Sequence, residues 1–128
     1  MDEIAIRAFF EKDQFAKQCG IGIDKVSEGK ATCSFMVNPS HLNAGGFVQG
    51  GAIFTLADYA FAVAANATGR QTVSLENQIT FMHATKAQKL IAYAYEVSAA
   101  RKVSFYQVDV MDGEGNKVAR MSVTGYGV

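Results

Sequence analysis

Between His41 and Gly69 the chain reads HLNAGGFVQGGAIFTLADYAFAVAANATG and carries a single charged side chain, Asp58. From Gly50 onward the stretch is rich in alanine and free of proline, which predicts a helix. Apolar residues lie almost all round it, so the helix is expected to be buried rather than amphipathic. A carboxylate on a buried helix has three ways out: a hydrogen-bond partner, a shifted pKa, or an interface. Two readings of Asp58 follow. It bonds a neighbour such as Thr55 or Tyr59 and is structural, or it acts on a bound group as part of a site.

The glycines Gly45-Gly46 and Gly50-Gly51 flank the helix start, where backbone N–H groups are unpaired and the macrodipole is positive. Glycine lets a ligand approach the backbone closely, so this is a natural place to hold a developing oxyanion on a carbonyl group. The plainer alternative is that the glycines only make the turn. A phosphate loop is excluded, since no Lys-Ser/Thr follows the second pair. Gly50 and Asp58 are eight residues apart, about 12 Å along a helix axis. A carboxylate at that distance cannot act on a carbonyl held at the start of its own helix. Either the two are unrelated, or a site joins the helix start of one subunit to Asp58 of another, which requires a two-fold dimer.

Other reactive side chains carry less. Cys33 shares strand parity with Ala31, Phe35 and Val37, which predicts a buried, inert thiol; a nucleophilic cysteine would need a nearby histidine base. His41 falls in the loop before the helix, where a structural or substrate-loop role is expected. His83 follows a strand and reads as a capping or surface residue. Lys86, Lys89, Arg101 and Lys102 form a modest basic set, with a solvated edge as the ordinary reading. Two cysteines and two histidines make neither a disulfide framework nor a metal site, so no metal or cofactor is expected. Twelve Lys+Arg balance twelve Asp+Glu, leaving no global field to draw the protein to nucleic acid or an anionic membrane. The segment from His41 is long enough to span a bilayer, but a mid-helix aspartate costs about 2.5–3.5 kcal/mol on insertion scales. The acidic start Met1-Asp2-Glu3 is unlike a secretory leader, and a reducing, cytoplasmic compartment is the expectation.

These residues need a frame. A length of 128 residues with 49% apolar content fits one domain spanning 1–128 and excludes disorder. Residues 3–18 read as one short amphipathic helix, with Ile6, Phe9 and Phe10 at helical spacing and Gly20 as the stop. The period changes after Ile21, and residues 30–38 alternate as a strand that Asn38-Pro39-Ser40 ends. Val73, Leu75, Ile79 and Phe81 share one parity, and so do Ile91, Tyr93, Tyr95 and Val97. Two further strands, Val103 to Met111 and Lys117 to Tyr126, are joined by a hairpin turn at 112–116. Consecutive strands on short connections predict an antiparallel sheet, hence an α+β fold around the buried helix.

The pattern HLNxxGxxxGGxxFxLADxAxxxAxN, running from His41 to Asn66, resembles the signature of hotdog-fold acyl-CoA thioesterases, most nearly the phenylacetate-degradation type. The resemblance extends through KQCGI at 17–21, VSLENQITF at 73–81 and AARKVSFYQVDVMDGEGNKVA at 99–119. It implies a hotdog fold, with five or six antiparallel strands wrapped around a long central helix. It implies hydrolysis of an aryl-, arylacetyl- or medium-chain acyl-CoA thioester. By the same resemblance Gly50 would offer its amide to the thioester carbonyl, and Asp58 of the partner subunit would serve as general base or nucleophile. Asn43 would hold the lytic water or the thioester, and Ser74 would assist near that water. Gln49, Gly51 and His41 would lie on the substrate side, with Arg101 and Lys102 toward the phosphates of CoA. A homo-oligomer is implied too, as a dimer of dimers.

A thiolate leaves readily, because a free thiol has a pKa of about 8.5, so one carboxylate and one helix-terminus oxyanion site would suffice. The apolar helix and the tyrosines of the fourth strand would line an acyl pocket, with ordinary core as the alternative. One departure stands out. Gln49 occupies the place where family members carry histidine, and glutamine cannot titrate near neutral pH. That supports an alternative reading, a non-catalytic acyl-CoA-binding module. A hotdog-type hydratase is disfavoured, since neither histidine lies within the helix motif.

Overall fold

The computed structural model describes all 128 residues. Two short helices, α1 (Glu3–Phe10) and α2 (Gln14–Gln18), lead into strands β1 (Gly22–Ser27) and β2 (Lys30–Met36). A 3-10 turn (Pro39–His41) and a loop precede helix α3 (Gly50–Asn66). Strands β3 (Thr72–Phe81), β4 (Lys89–Ala99), β5 (Val103–Asp112) and β6 (Lys117–Gly127) follow. All six strands join one antiparallel sheet in the order β1-β2-β4-β5-β6-β3, so β1 and β3 are its edges. No helix is long and apolar enough to cross a membrane.

Helix α3 lies across one face of the sheet and touches every strand. Small side chains allow that approach: Ala57, Ala60 and Ala64 on the helix and Ala92 and Ala94 on β4 are all buried. Leu56, Phe61 and Val63 share the same core cluster with Phe35, Leu90, Val108, Val110 and Met121. The far end of α3 is tied to the sheet by Asn66. Its Nδ2 donates to the Thr72 carbonyl and its Oδ1 accepts from the Thr72 amide, at 3.2 and 3.1 Å. Gly69 then turns the chain with φ +91°. The hairpin expected at 112–116 forms, with the Asp112 carboxylate accepting from the amides of Glu114 and Asn116.

Three expectations need correction. Residues 3–18 are two helices rather than one, because the Asp13 side chain accepts from the Ala16 amide and starts a second helix there. Of the apolar residues assigned to the first helix, Ile6 and Phe10 are buried and Phe9 is exposed.

The stripe of Val73, Leu75, Ile79 and Phe81 does not share a face. The register of β3 against β6 slips between Ser74 and Glu76, a bulge whose extra residue reverses the facing of everything before it. Ile79 and Phe81 pair with the buried Met121 and Ala119 and face the helix, while Val73 and Leu75 are exposed.

On β4 the inward set is Leu90, Ala92 and Ala94, and Ile91, Tyr93, Tyr95 and Val97 point to the outer face. Where the helix lies closest, Ala92 and Ala94 fit beneath it, and Tyr93 and Tyr95 take the other side. The tyrosine stripe is therefore neither core nor part of the space beside α3.

Candidate active site

The loop before α3 is built by side chains that bond the backbone. Asn43 Oδ1 accepts from the amides of Gly45 and Phe47, at 2.9 and 3.1 Å, and the Asn43 amide donates to the Phe47 carbonyl at 2.7 Å. His41 is buried and stacked on Phe35, with ring centroids 4.3 Å apart. Its Nδ1 accepts from the Asn38 amide at 3.0 Å, and its Nε2–H donates to the Cys19 carbonyl at 2.7 Å. Both ring nitrogens are engaged, so His41 frames the loop before α3 and has no free nitrogen for a ligand. Its carbonyl accepts from the Gln49 amide at 2.8 Å, which passes that order on to the helix start.

Gln49 is the N-cap of α3, and its side-chain oxygen accepts from the Gly51 amide. The Ala52 amide bonds the Gln49 carbonyl at 2.9 Å. The Gly50 amide has no partner in the chain. It is a single open donor at the positive end of a 17-residue helix. The Phe81 ring lies directly beside Gly50, where an added Cβ would come within 3.4 Å of Cζ.

Asp58 lies on the stripe of α3 that the sheet leaves partly uncovered, in line with Gly51, Phe54, Thr55 and Ala62. Neither proposed neighbour bonds it. The Thr55 hydroxyl donates to the Gly51 carbonyl at 2.7 Å, and the Tyr59 ring packs edge-on against Phe10. Asp58 makes no hydrogen bond or ion pair with any residue of the chain. Burial first, and the negative charge of Asp13 second, push its carboxyl above the ordinary value. Because α3 is one unbroken helix, the separation of about 12 Å from Gly50 is realised in the fold.

Ser74 lies toward the Asp58 half of α3 and away from its Gly50 end. Phe81 sits at the Gly50 end of α3. Ser74 pairs with Gly125, and a Cβ on Gly125 would come 3.1 Å from the Phe61 ring, three residues beyond Asp58. The helix and β3 thus run in opposite directions, and Asp58 stands level with the Ser74–Asn77 part of the strand. Asn77 was not singled out in the sequence; its Nδ2 donates to Ser74 Oγ at 3.3 Å, and its Oδ1 is buried without a partner. Nothing in its local pattern distinguishes it, because the bulge that turns it toward the helix is a property of strand pairing.

The basic residues are spread apart. Arg101 and Lys102 are exposed in the β4–β5 turn, where the Lys102 carbonyl accepts from the Gly127 amide near the start of β3. The Lys86 ammonium lies 4.7 Å from the Phe47 ring, at the Gly50 end. Cys33 is fully buried, and desolvation with the nearby Asp24 pushes its thiol far above the usual range. His83 is exposed, with Nδ1 donating to the Lys117 carbonyl. No group of three or more His, Cys, Asp or Glu side chains is placed to hold a metal ion.

The family model described as Thioesterase superfamily matches residues 45–119. The acyl-coenzyme A thioesterase PaaI of Escherichia coli K12 is 32% identical over 113 residues, covering 88% of this chain and 81% of that protein. The solved structure of E. coli PaaI, from the phenylacetic acid degradation operon, matches with a TM-score of 0.91 at 30% identity, covering 94% of this chain and 88% of that one. The TT0310 protein of Thermus thermophilus matches with a TM-score of 0.86 at 31% identity, over 91% and 99% of the two chains. A Streptococcus mutans UA159 protein solved bound to acetyl CoA matches with a TM-score of 0.80 at 25% identity, over 84% and 88%. With the six-stranded antiparallel sheet, the helix laid across it and the family match over more than half its length, this chain is a PaaI-like, hotdog-fold enzyme of the thioesterase superfamily.

Proposed function

We propose that the protein hydrolyses an acyl-CoA thioester to the free acid and CoA, at sites assembled across a two-fold dimer. One observation carries this reading. The free amide of Gly50 and the partnerless carboxylate of Asp58 sit on the same helix, too far apart to serve one carbonyl. A two-fold axis beside α3 brings the Asp58 of one subunit to the Gly50 of the other. The uncovered stripe of α3 and the unpaired edge of β3 lie side by side, as an interface needs.

The thioester oxygen accepts from the Gly50 N–H, which draws electrons from the carbonyl carbon. Asp58 takes the proton of a water that attacks this carbon, or attacks it directly and is released by water in a second step. In either course the adduct formed on that carbon collapses by breaking its C–S bond, before any release of Asp58 by water, and CoA departs as a thiolate without a strong general acid. Asn43 shapes the loop with its oxygen and keeps its Nδ2 for the water or the ester. Ser74 assists on the Asp58 side. Gln49 and Gly51 border the carbonyl site, and Arg101 and Lys102 meet the phosphates of CoA. The acyl group is aryl, arylacetyl or medium-chain, the assembly is a dimer of dimers, and the protein works in the cytoplasm as a single domain.

The test is thiol release from a panel of aryl-, arylacetyl- and medium-chain acyl-CoA esters, with Asp58→Asn beside the wild type. Turnover that disappears in the variant supports the reading. Saturable ester binding with no turnover supports instead a binding module, which the commitment of the Gln49 side chain to capping would favour.

A further inference from the structure

Asn77 is the residue with a fully buried side-chain polar atom that has no partner. Such atoms are few in natural proteins and destabilise the fold, so each one needs a reason. The other end of the amide supplies it. Asn77 Nδ2 donates to Ser74 Oγ at 3.3 Å, inside the bulge that turns both residues toward α3. An amide aimed this way leaves its oxygen buried with no partner in the chain.

A hydroxyl that accepts from an amide N–H keeps its own proton for a different acceptor. Ser74 Oγ makes no other hydrogen bond in the chain. The carboxylate level with it on the facing helix is Asp58, which has no partner either. Two unsatisfied groups of opposite hydrogen-bonding sense therefore stand on the same side of the sheet.

We propose that Asn77 is a positioning residue, kept at a cost to stability because it holds the Ser74 hydroxyl with its proton turned to the Asp58 side. The proposal rests on the hydrolysis reading above. Asn77 touches no reacting atom; it acts through Ser74.

The experiment compares wild type, Asn77→Leu, Asn77→Asp, Ser74→Ala and the double variant Ser74→Ala/Asn77→Leu, by melting temperature and by kcat and KM for thiol release. Asn77→Leu is expected to melt at or above wild type, since the orphaned oxygen is gone, while kcat falls about tenfold, roughly one hydrogen bond's worth, and KM holds. Asn77→Asp keeps the shape but accepts where the amide donated, so it is expected to lose kcat as well. In the Ser74→Ala background Asn77→Leu should have no further effect on kcat. Unchanged kcat in Asn77→Leu, losses that multiply in the double variant, or a loss that only tracks the unfolded fraction would each overturn the proposal while leaving hydrolysis intact. A wild type that releases no thiol from any ester overturns the hydrolysis reading, and the proposal with it.

Discussion

The Gln49 side chain accepts the amide of Gly51, and by doing so leaves the amide of Gly50 as the free donor at the start of α3. An ordinary N-cap is satisfied by the same bond. Here it also selects which of two neighbouring amides stays open, and a non-titrating side chain makes that selection independent of pH near neutrality.

Gly50→Pro tests the open amide directly. Proline suits the first position of a helix, and Gln49 at φ −68° and ψ 138° already has the backbone that precedes proline well. The variant is expected to fold, to bind the ester, and to lose on the order of 10²–10³ in kcat, as loss of an oxyanion donor does. Retained kcat at an unchanged melting temperature would remove Gly50 from the mechanism.

Mixing is the test of assembly across two subunits. Asp58→Asn keeps its Gly50 amide, and Gly50→Pro keeps its Asp58. When the two inactive variants are unfolded together and refolded, half the dimers are mixed and one of their two sites is whole. Thiol release is expected to return to about a quarter of the wild-type rate, from the symmetry of a two-fold dimer. No return in a mixture proven by mass to contain heterodimers would place both residues of each site in one chain.

The pH dependence follows from Asp58. Its carboxyl is raised from an ordinary value of 3.8 by burial and by Asp13. A carboxyl harder to ionise in the folded state contributes stability that is complete below 3.8 and is lost as pH rises through the folded value. The melting temperature of wild type relative to Asp58→Asn is expected to be highest in acid and to decline across that window, then level off. A general base must be ionised, so kcat should rise across the upper part of the same window. Parallel melting curves of the two proteins from pH 3 to 7 would contradict the assignment.

Thiol chemistry separates the two cysteines. Cys33 is fully buried with its thiol pushed far up, whereas Cys19 is only partly covered. Iodoacetamide is expected to label Cys19 in the native protein and Cys33 only after unfolding, as read by peptide mass. Cys33→Ala is expected to keep its kcat. An inactive but folded Cys33→Ala protein would bring the thiol back as a nucleophile.

Much of this was legible from residue types. Alanine content and the solitary charge marked α3 and Asp58, because both are properties of one segment. Asp112 and Gly115 marked the last hairpin for the same reason. Alternation revealed strands but not which face turns inward. On β4 that was settled by the helix, which leaves room for Ala92 and Ala94 and sends Tyr93 and Tyr95 outside. The break between α1 and α2 rests on one side-chain cap at Asp13 inside a pattern that otherwise reads as continuous. The engagement of both His41 nitrogens and the isolation of Asn77 Oδ1 depend on partners distant in sequence or on strand register, and no local spacing announces them.

The slip between Ser74 and Glu76 works as a phase jump in a signal of period two. Upstream of it the even-numbered residues point to the helix; downstream the odd-numbered ones do. One strand can therefore present Ser74 and Asn77, three apart, on a single side, a spacing that regular pleating forbids. Regular pleating over the same residues, with no jump, would turn the hydroxyl and the amide to opposite sides of the sheet. The spare residue, which pairs with nothing, is what lets an edge strand turn two polar groups toward the same helix.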